Sequence, residues 1–229
     1  MPPKPGFTIV RSFARPEAAL VEQFGGLASA NISDVQGRQN TLDARVKPAY
    51  LPVEHLCGTA FTVKARPGDN LLATKAIHMA QPGDVIVIAG SYDTALSVWG
   101  GVMSALARKK GIAGVVTDGL VRDVAETRAS GLPVFAIGLT PVGPTKEGSG
   151  QINLPVSCGG VIVNPGDIIV GDEDGVVVVH REEAAGVLER VHARMRLEAQ
   201  WFDAIARGEM ILEDPDEELI ARGAVFVDA

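Results

Sequence analysis

With 229 residues, 46% of them hydrophobic and 21% charged, the chain is long enough for a buried core and too apolar to be disordered. A net charge of −7, with no basic tract interleaved with aromatics, argues against binding a nucleic-acid phosphate backbone. No apolar run approaches the roughly 20 residues that span a bilayer, and Met-Pro-Pro-Lys-Pro-Gly lacks a signal-peptide core, so a soluble cytoplasmic protein is expected.

Residues 1–15 form a Pro-rich lead-in, and Pro16-Glu17 starts a short amphipathic helix ended by Gly25-Gly26. Ser29 to Val35 reads as a second short helix and residues 38–52 as a surface loop. Gly58 to Ala65, rich in Thr and Val, reads as a strand. Pro67-Gly68-Asp69-Asn70 is a turn whose Asp or Asn caps a helix running through Met79. Pro82-Gly83-Asp84 repeats that turn and feeds Val85 to Ile88, a buried strand. Asp93 to Lys110 carries helical spacing, but the Gly100-Gly101 pair sets the start of the helix proper near Val102. Free amides at such a start suit an anion.

The apolar run Ile112 to Val116 is too short for a helix and reads as a strand. It runs into Thr117-Asp118-Gly119, then Arg122-Asp123, then a helical segment closed by Gly131. An adjacent cation and carboxylate therefore sit where a strand hands over to a helix, the place where open α/β sheets bind ligands. A carboxylate there suits Mg²⁺ or Mn²⁺, and an Arg beside it suits a carboxylate or a developing enolate. Taken by itself, the pair also fits a surface ion pair at a helix start.

Val134 to Ile137 is a further strand, and 140–151 is a Gly/Pro loop bearing Lys146 and Glu147. Strands follow at 152–156, 160–163, 168–170 and 175–180, with Asp172-Glu173-Asp174-Gly175 as a hairpin turn rather than a calcium loop. A long charged helix over 181–208 and an acidic tail complete the chain. We expect a single domain over 1–229, with 1–15 as an arm and 181–229 as C-terminal helix and tail. Its class is α/β, because strand–helix alternation gives way to consecutive strands.

His55, His78, His180 and His192 lack metal-ligand spacing and read as structural. Cys57 and Cys158 read as reduced, buried thiols. No glycine-rich nucleotide loop or GxSxG motif is present.

Pro67-Gly68-Asp69-Asn70, Val115-Val116-Thr117-Asp118-Gly119-Leu120-Val121-Arg122-Asp123, Pro144-Thr145-Lys146-Glu147-Gly148 and Asn164 to Val176 together resemble the RraA-like family. That family holds 4-hydroxy-4-methyl-2-oxoglutarate/4-carboxy-4-hydroxy-2-oxoadipate aldolases and regulators of RNase E activity. The resemblance, over roughly residues 17 to 210, implies a layered β/β/α fold like the swivelling phosphohistidine domains, with an extended C-terminal helix. It implies a homotrimer or a dimer of trimers with the site between subunits. By the same resemblance Asp123 binds Mg²⁺ or Mn²⁺, and Arg122 stabilises the enolate of a small 2-oxo acid. Amides of Gly100, Gly101, Val102 and Met103 hold the pyruvyl carboxylate. Glu198 reaches the metal's water shell from an adjacent subunit.

One position departs from the pattern. The aldolases carry an acid where this chain has Gly101, and Asp93 is the nearest candidate to replace it. The expected activity is therefore a metal-dependent, pyruvate-releasing aldolase or oxaloacetate decarboxylase. A non-catalytic regulator of a ribonuclease is the alternative, and a methyltransferase has no motif behind it.

Overall fold

The computed structural model describes residues 6–227, so the first five residues of the lead-in and the last two of the tail lie outside the described residues. The chain divides into two units, Met1–Val191 and His192–Ala229. The first opens with β1 (Phe7–Ile9), α1 (Ala18–Glu22), α2 (Ser29–Val35) and β2 (Lys47–Pro48). Then come β3 (Leu56–Ala65), α3 (Leu71–Met79), β4 (Asp84–Ala89), β5 (Ser97–Trp99) and α4 (Gly101–Lys109). The middle of the chain holds β6 (Gly114–Thr117), β7 (Leu120–Val121), α5 (Val124–Ser130), β8 (Val134–Ala136) and β9 (Gly138–Leu139). Five strands follow: β10 (Gly150–Ile152), β11 (Val156–Cys158), β12 (Val161–Val163), β13 (Ile168–Asp172) and β14 (Gly175–Val179). Helix α6 (Ala184–Ala206) comes next, and α7 (Asp216–Ala221) lies in the second unit.

Strands β3, β4, β6 and β8 run parallel in that order, with α3, α4 and α5 in the crossovers between them. A strand covered on both faces reads as a continuous apolar run, as β4 does. Its side chains alternate, so Ile86 and Ile88 enter one core cluster with α3, while Val85 and Val87 enter another with β13 and β14. Ten-residue β3 serves two partners along its other edge: Leu56–Thr59 pair with β13, and Val63–Ala65 pair with β10. The β13–β14 hairpin then packs Ile168, Val170, Val177 and Val179 under α1, α2 and the first turns of α6. A second, three-stranded parallel sheet of β5, β7 and β9 lies at the carboxyl ends of the crossover strands. The result is the layered α/β architecture expected, with a long C-terminal helix.

Several elements differ from the sequence reading. The stretch 93–110 holds a strand, β5, before its helix, because Gly100 is extended and α4 starts only at Gly101. Residues 152–156 do not form one strand: Asn153 adopts a left-handed φ of 57° and separates β10 from β11. The surface loop contains β2, which pairs with β8, and the lead-in contains β1, which pairs with β10. The acidic tail is helical over α7, whose first turn carries Asp216, Glu217 and Glu218, as the helix dipole favours.

Several buried charged groups are matched by partners. Asp84, fully buried, is held by a two-pronged contact with Arg15, whose guanidinium also lies over the Phe13 ring. Asp172 accepts from both the amide and the hydroxyl of Ser29, so the hairpin turn is a structural clamp. His55 bonds to Gly26 and Leu27, and His180 to Asp167. Both cysteines are free thiols, and burial pushes Cys57 up to about 11, which makes it an unreactive thiol. No described helix is long and apolar enough to cross a membrane.

Candidate active site

Strand β7 ends at Val121, and the next two residues are Arg122 and Asp123. Asp123 occupies the N-cap position of α5 with φ 57° and ψ 50°, a left-handed conformation that Asp tolerates better than most residues. Strain of this kind costs of order 1–3 kcal/mol and collects at functional sites. It leaves the carboxylate 40% exposed, with Oδ2 accepting from the Gly101 amide at 3.2 Å and lying 3.4 Å from Arg122 Nε. The geometry thus brings Arg122, Asp123 and Gly100–Met103 together.

The approach depends on glycine. A methyl group on Gly100 would lie 2.7 Å from Asp123 Oδ2. One on Gly101 would lie 2.5 Å from Glu126 Cβ and 3.1 Å from Asp123 Cβ. The space that an acid at 101 would enter is therefore filled by the stem of Glu126. Asp93 lies elsewhere: its carboxylate accepts from the Ala95 amide and packs against Gly68.

Behind this pair, a buried polar lock fixes three elements. The Trp99 indole donates to Ser104 Oγ at 2.8 Å, Ser104 Oγ donates to the Gly100 carbonyl, and it meets Thr127 Oγ1 at 3.1 Å. These bonds tie the end of β5, the start of α4 and the first turns of α5 together. Gly100 offers α4 no side-chain cap. The amides of Val102 and Met103 have no intrahelical acceptor in a helix that starts at Gly101.

In front of the pair lies a cleft of about 890 Å³. Lys109, Lys110, Arg122 and Lys146 line it against a single carboxylate, Asp123. Trp99, Met103, Leu106 and Ile77 supply its apolar wall, and Asn70, Thr74 and His78 line it from α3 and its cap. Asn70 Oδ1 is buried without a hydrogen-bond partner. The loop carrying Lys146 is pinned by Asp69, whose Oδ2 accepts from Thr145 Oγ1 and from the amides of Glu147 and Gly148. Burial pushes the Asp69 carboxyl upward, but these donors and the Leu71 amide outweigh it and hold it below the ordinary carboxylate value. Asp118, beneath the pair, ties Gly90 and Gly159 through its two oxygens; burial is the larger effect there and raises its carboxyl.

Sequence reasoning did not assign Asn70, His78, Trp99, Lys109 or Lys146 to the site. Their signal is faint: Asn70 and Lys146 fall in two of the segments that resemble the RraA-like family, and the others lie in runs that read as ordinary helix. Glu198 lies in the second unit, where it pairs with Arg194 at 2.9 Å.

Among the described residues no group of three or more His, Cys, Asp or Glu side chains could hold a metal ion. One partly exposed carboxylate facing a roomy cleft suits Mg²⁺ or Mn²⁺, which retain water and take few protein ligands. The residues present fit the cation.

The parallel crossover sheet, with the Arg122–Asp123 pair following β7 of the small sheet, defines the molecule as an α/β protein. The RraA-like family profile (Aldolase/RraA) matches residues 29–178. The chain belongs to the RraA-like family. A protein of Halalkalibacterium halodurans named "Putative 4-hydroxy-4-methyl-2-oxoglutarate aldolase" is 36% identical over 204 residues, covering 89% of this chain and 97% of its own. Among solved structures, an uncharacterized protein from Pseudomonas syringae pv. tomato superposes with a TM-score of 0.78 at 27% identity, covering 87% of this chain and 93% of its own. The RNA-processing inhibitor RraA from Thermus thermophilis superposes at 0.61 with 30% identity, covering 66% and 92%.

Proposed function

We propose that the protein is a divalent-metal-dependent lyase that breaks a C–C bond in a 4-hydroxy-2-oxo acid or in oxaloacetate to release pyruvate. The observation that carries this reading is the Arg122–Asp123 pair set against the glycine start of α4 at the mouth of a cationic cleft. Four cationic side chains against one carboxylate select an anionic substrate in a protein whose net charge is negative.

Asp123 would hold Mg²⁺ or Mn²⁺, which supplies Lewis-acid polarisation of a 2-oxo group when bound. The first-turn amides of Val102 and Met103 orient the substrate carboxylate at the positive end of α4. As the C3–C4 bond breaks, its electron pair moves into an enolate, the 4-hydroxyl proton of a hydroxy acid passes to water, and the Arg122 guanidinium stabilises charge on the C2 oxygen. Protonation at C3 then yields pyruvate, with a carbonyl compound, or carbon dioxide from oxaloacetate, as the other product. Trp99, Met103 and Leu106 give the substrate's carbon skeleton an apolar wall. In this reading the working form is a homotrimer or a dimer of trimers, with Glu198 contributed by a neighbouring copy.

The test is a coupled pyruvate assay with Mg²⁺ or Mn²⁺ on oxaloacetate and several 4-hydroxy-2-oxo acids. Turnover that EDTA abolishes is expected. Equal turnover in Asp123→Asn would overturn the reading.

A second reading, a non-catalytic regulator of a ribonuclease, is favoured by one feature, the glycine at 101. Recovery of a ribonuclease with the purified protein, without turnover of any 2-oxo acid, would establish it.

A further inference from the structure

We infer that Gly143, in the loop between β9 and β10, is the positioning residue for Arg122, and that it is glycine because a guanidinium rests on it. This rests on the role proposed above for Arg122. A methyl group on Gly143 would lie 2.8 Å from Arg122 Nη1 and 3.6 Å from its Cζ, and no other atom crowds that position. The backbone gives no other reason for glycine there: Gly143 is absent from the residues with positive φ. The missing side chain is a seat for the guanidinium.

The seat is rigid on both sides. Immediately before Gly143, the Val142 carbonyl accepts from the Ser97 amide at 3.1 Å and from its hydroxyl at 2.8 Å. Two residues after it, the Thr145 amide donates to the Gly68 carbonyl at 2.8 Å, and the Thr145 carbonyl accepts from the Asn70 amide. Asp69 fastens the following residues. A loop held this way cannot retreat from a new methyl group, whereas Arg122 is a long side chain with free rotors. The side chain yields and the loop stays.

Arg122 is seated from the other direction as well. Its Cγ lies 3.2 Å from the place of a methyl group on Gly100, and its Nε lies 3.4 Å from Asp123 Oδ2. Gly100 therefore leaves room for the stem of the side chain and Gly143 for its tip, and Asp123 lies beside the Nε between them. Gly143 touches no reacting atom and acts through Arg122 alone.

Gly143→Ala tests this. Crystal structures of the wild type and of Gly143→Ala should show an unmoved loop over 142–145 and an Arg122 guanidinium displaced from it. A shifted loop with Arg122 in place would overturn the inference whatever the protein's activity. In the pyruvate assay, Gly143→Ala should lower kcat by about a hundredfold, the scale of a misplacement near 1 Å, with an unchanged melting temperature. In an Arg122→Ala background the same change should cost nothing further, because both act on one group. Additive losses, or full activity in Gly143→Ala, would sink it. An inactive wild type with the displaced guanidinium in Gly143→Ala would refute the lyase reading and leave the seat established.

Discussion

Gly101 donates its amide proton to the carboxylate of Asp123, and the same glycine leaves room for the stem of Glu126. The residue that most separates this chain from the aldolase pattern is therefore part of the mount for the carboxylate beside it. A side chain at 101 would have to push α5 away from α4.

The left-handed backbone at Asp123 predicts a trade between stability and function. Asp123→Gly, which adopts φ 57° without steric cost, should raise unfolding stability by about 1 kcal/mol while removing metal-dependent turnover. Asp123→Asn keeps a residue tolerant of that conformation and should lose turnover with little change in stability. Urea denaturation alongside the pyruvate assay separates the two effects.

Ser104 is the acceptor for the buried Trp99 indole. Ser104→Ala should cost about 1–3 kcal/mol, because the indole N–H would be left buried without a partner. Equilibrium denaturation followed by tryptophan fluorescence reads this loss. A cost well under that range would show that Thr127 Oγ1 takes over as acceptor.

Arg15 neutralises a carboxylate that has no access to solvent. Truncation to Ala should destabilise the fold by about 3–5 kcal/mol, the range for a buried ion pair stripped of one partner. The double variant Arg15→Met/Asp84→Asn should recover much of the loss, since no charge then remains buried.

Acid should loosen the protein partly through Asp69. Its folded carboxyl is held below the ordinary value of 3.8 by four donors, so it contributes stability that is fully present above 3.8. That contribution drains away as pH falls through the lower folded value. The slope of stability against pH below 3.8 should be shallower in Asp69→Asn than in the wild type, measured by urea titration at several pH values. Equal slopes would assign the acid sensitivity to other carboxylates.

The fold was legible where burial is two-sided. Val85-Ile86-Val87-Ile88 and the 168–179 hairpin announce themselves because both faces of each strand are covered and the turns carry Gly or Asp-Gly. The Arg122–Asp123 pair was legible because it follows a strand end. The rest of the cleft was not. Asn70, Thr74, Lys109 and Lys146 meet only after the crossovers fold, and no local pattern encodes that meeting. Strands β1 and β2 are two or three residues long and stand by pairing with distant β10 and β8, so propensity carried no sign of them. The glycine at 143 looked like one of many in a loop, and its reason lies in a side chain far away in the chain.

The grip of Asp69 on its loop falls on main-chain amides at 147 and 148 and on the hydroxyl at 145. The side chains of Lys146 and Glu147 take no part in that grip. Glu147 pairs instead with Arg66, and the side chain at 146 can change without loosening the grip on the loop. The scaffold thus fastens this loop through its main chain and leaves the side chain at 146 to set the chemistry of the cleft rim.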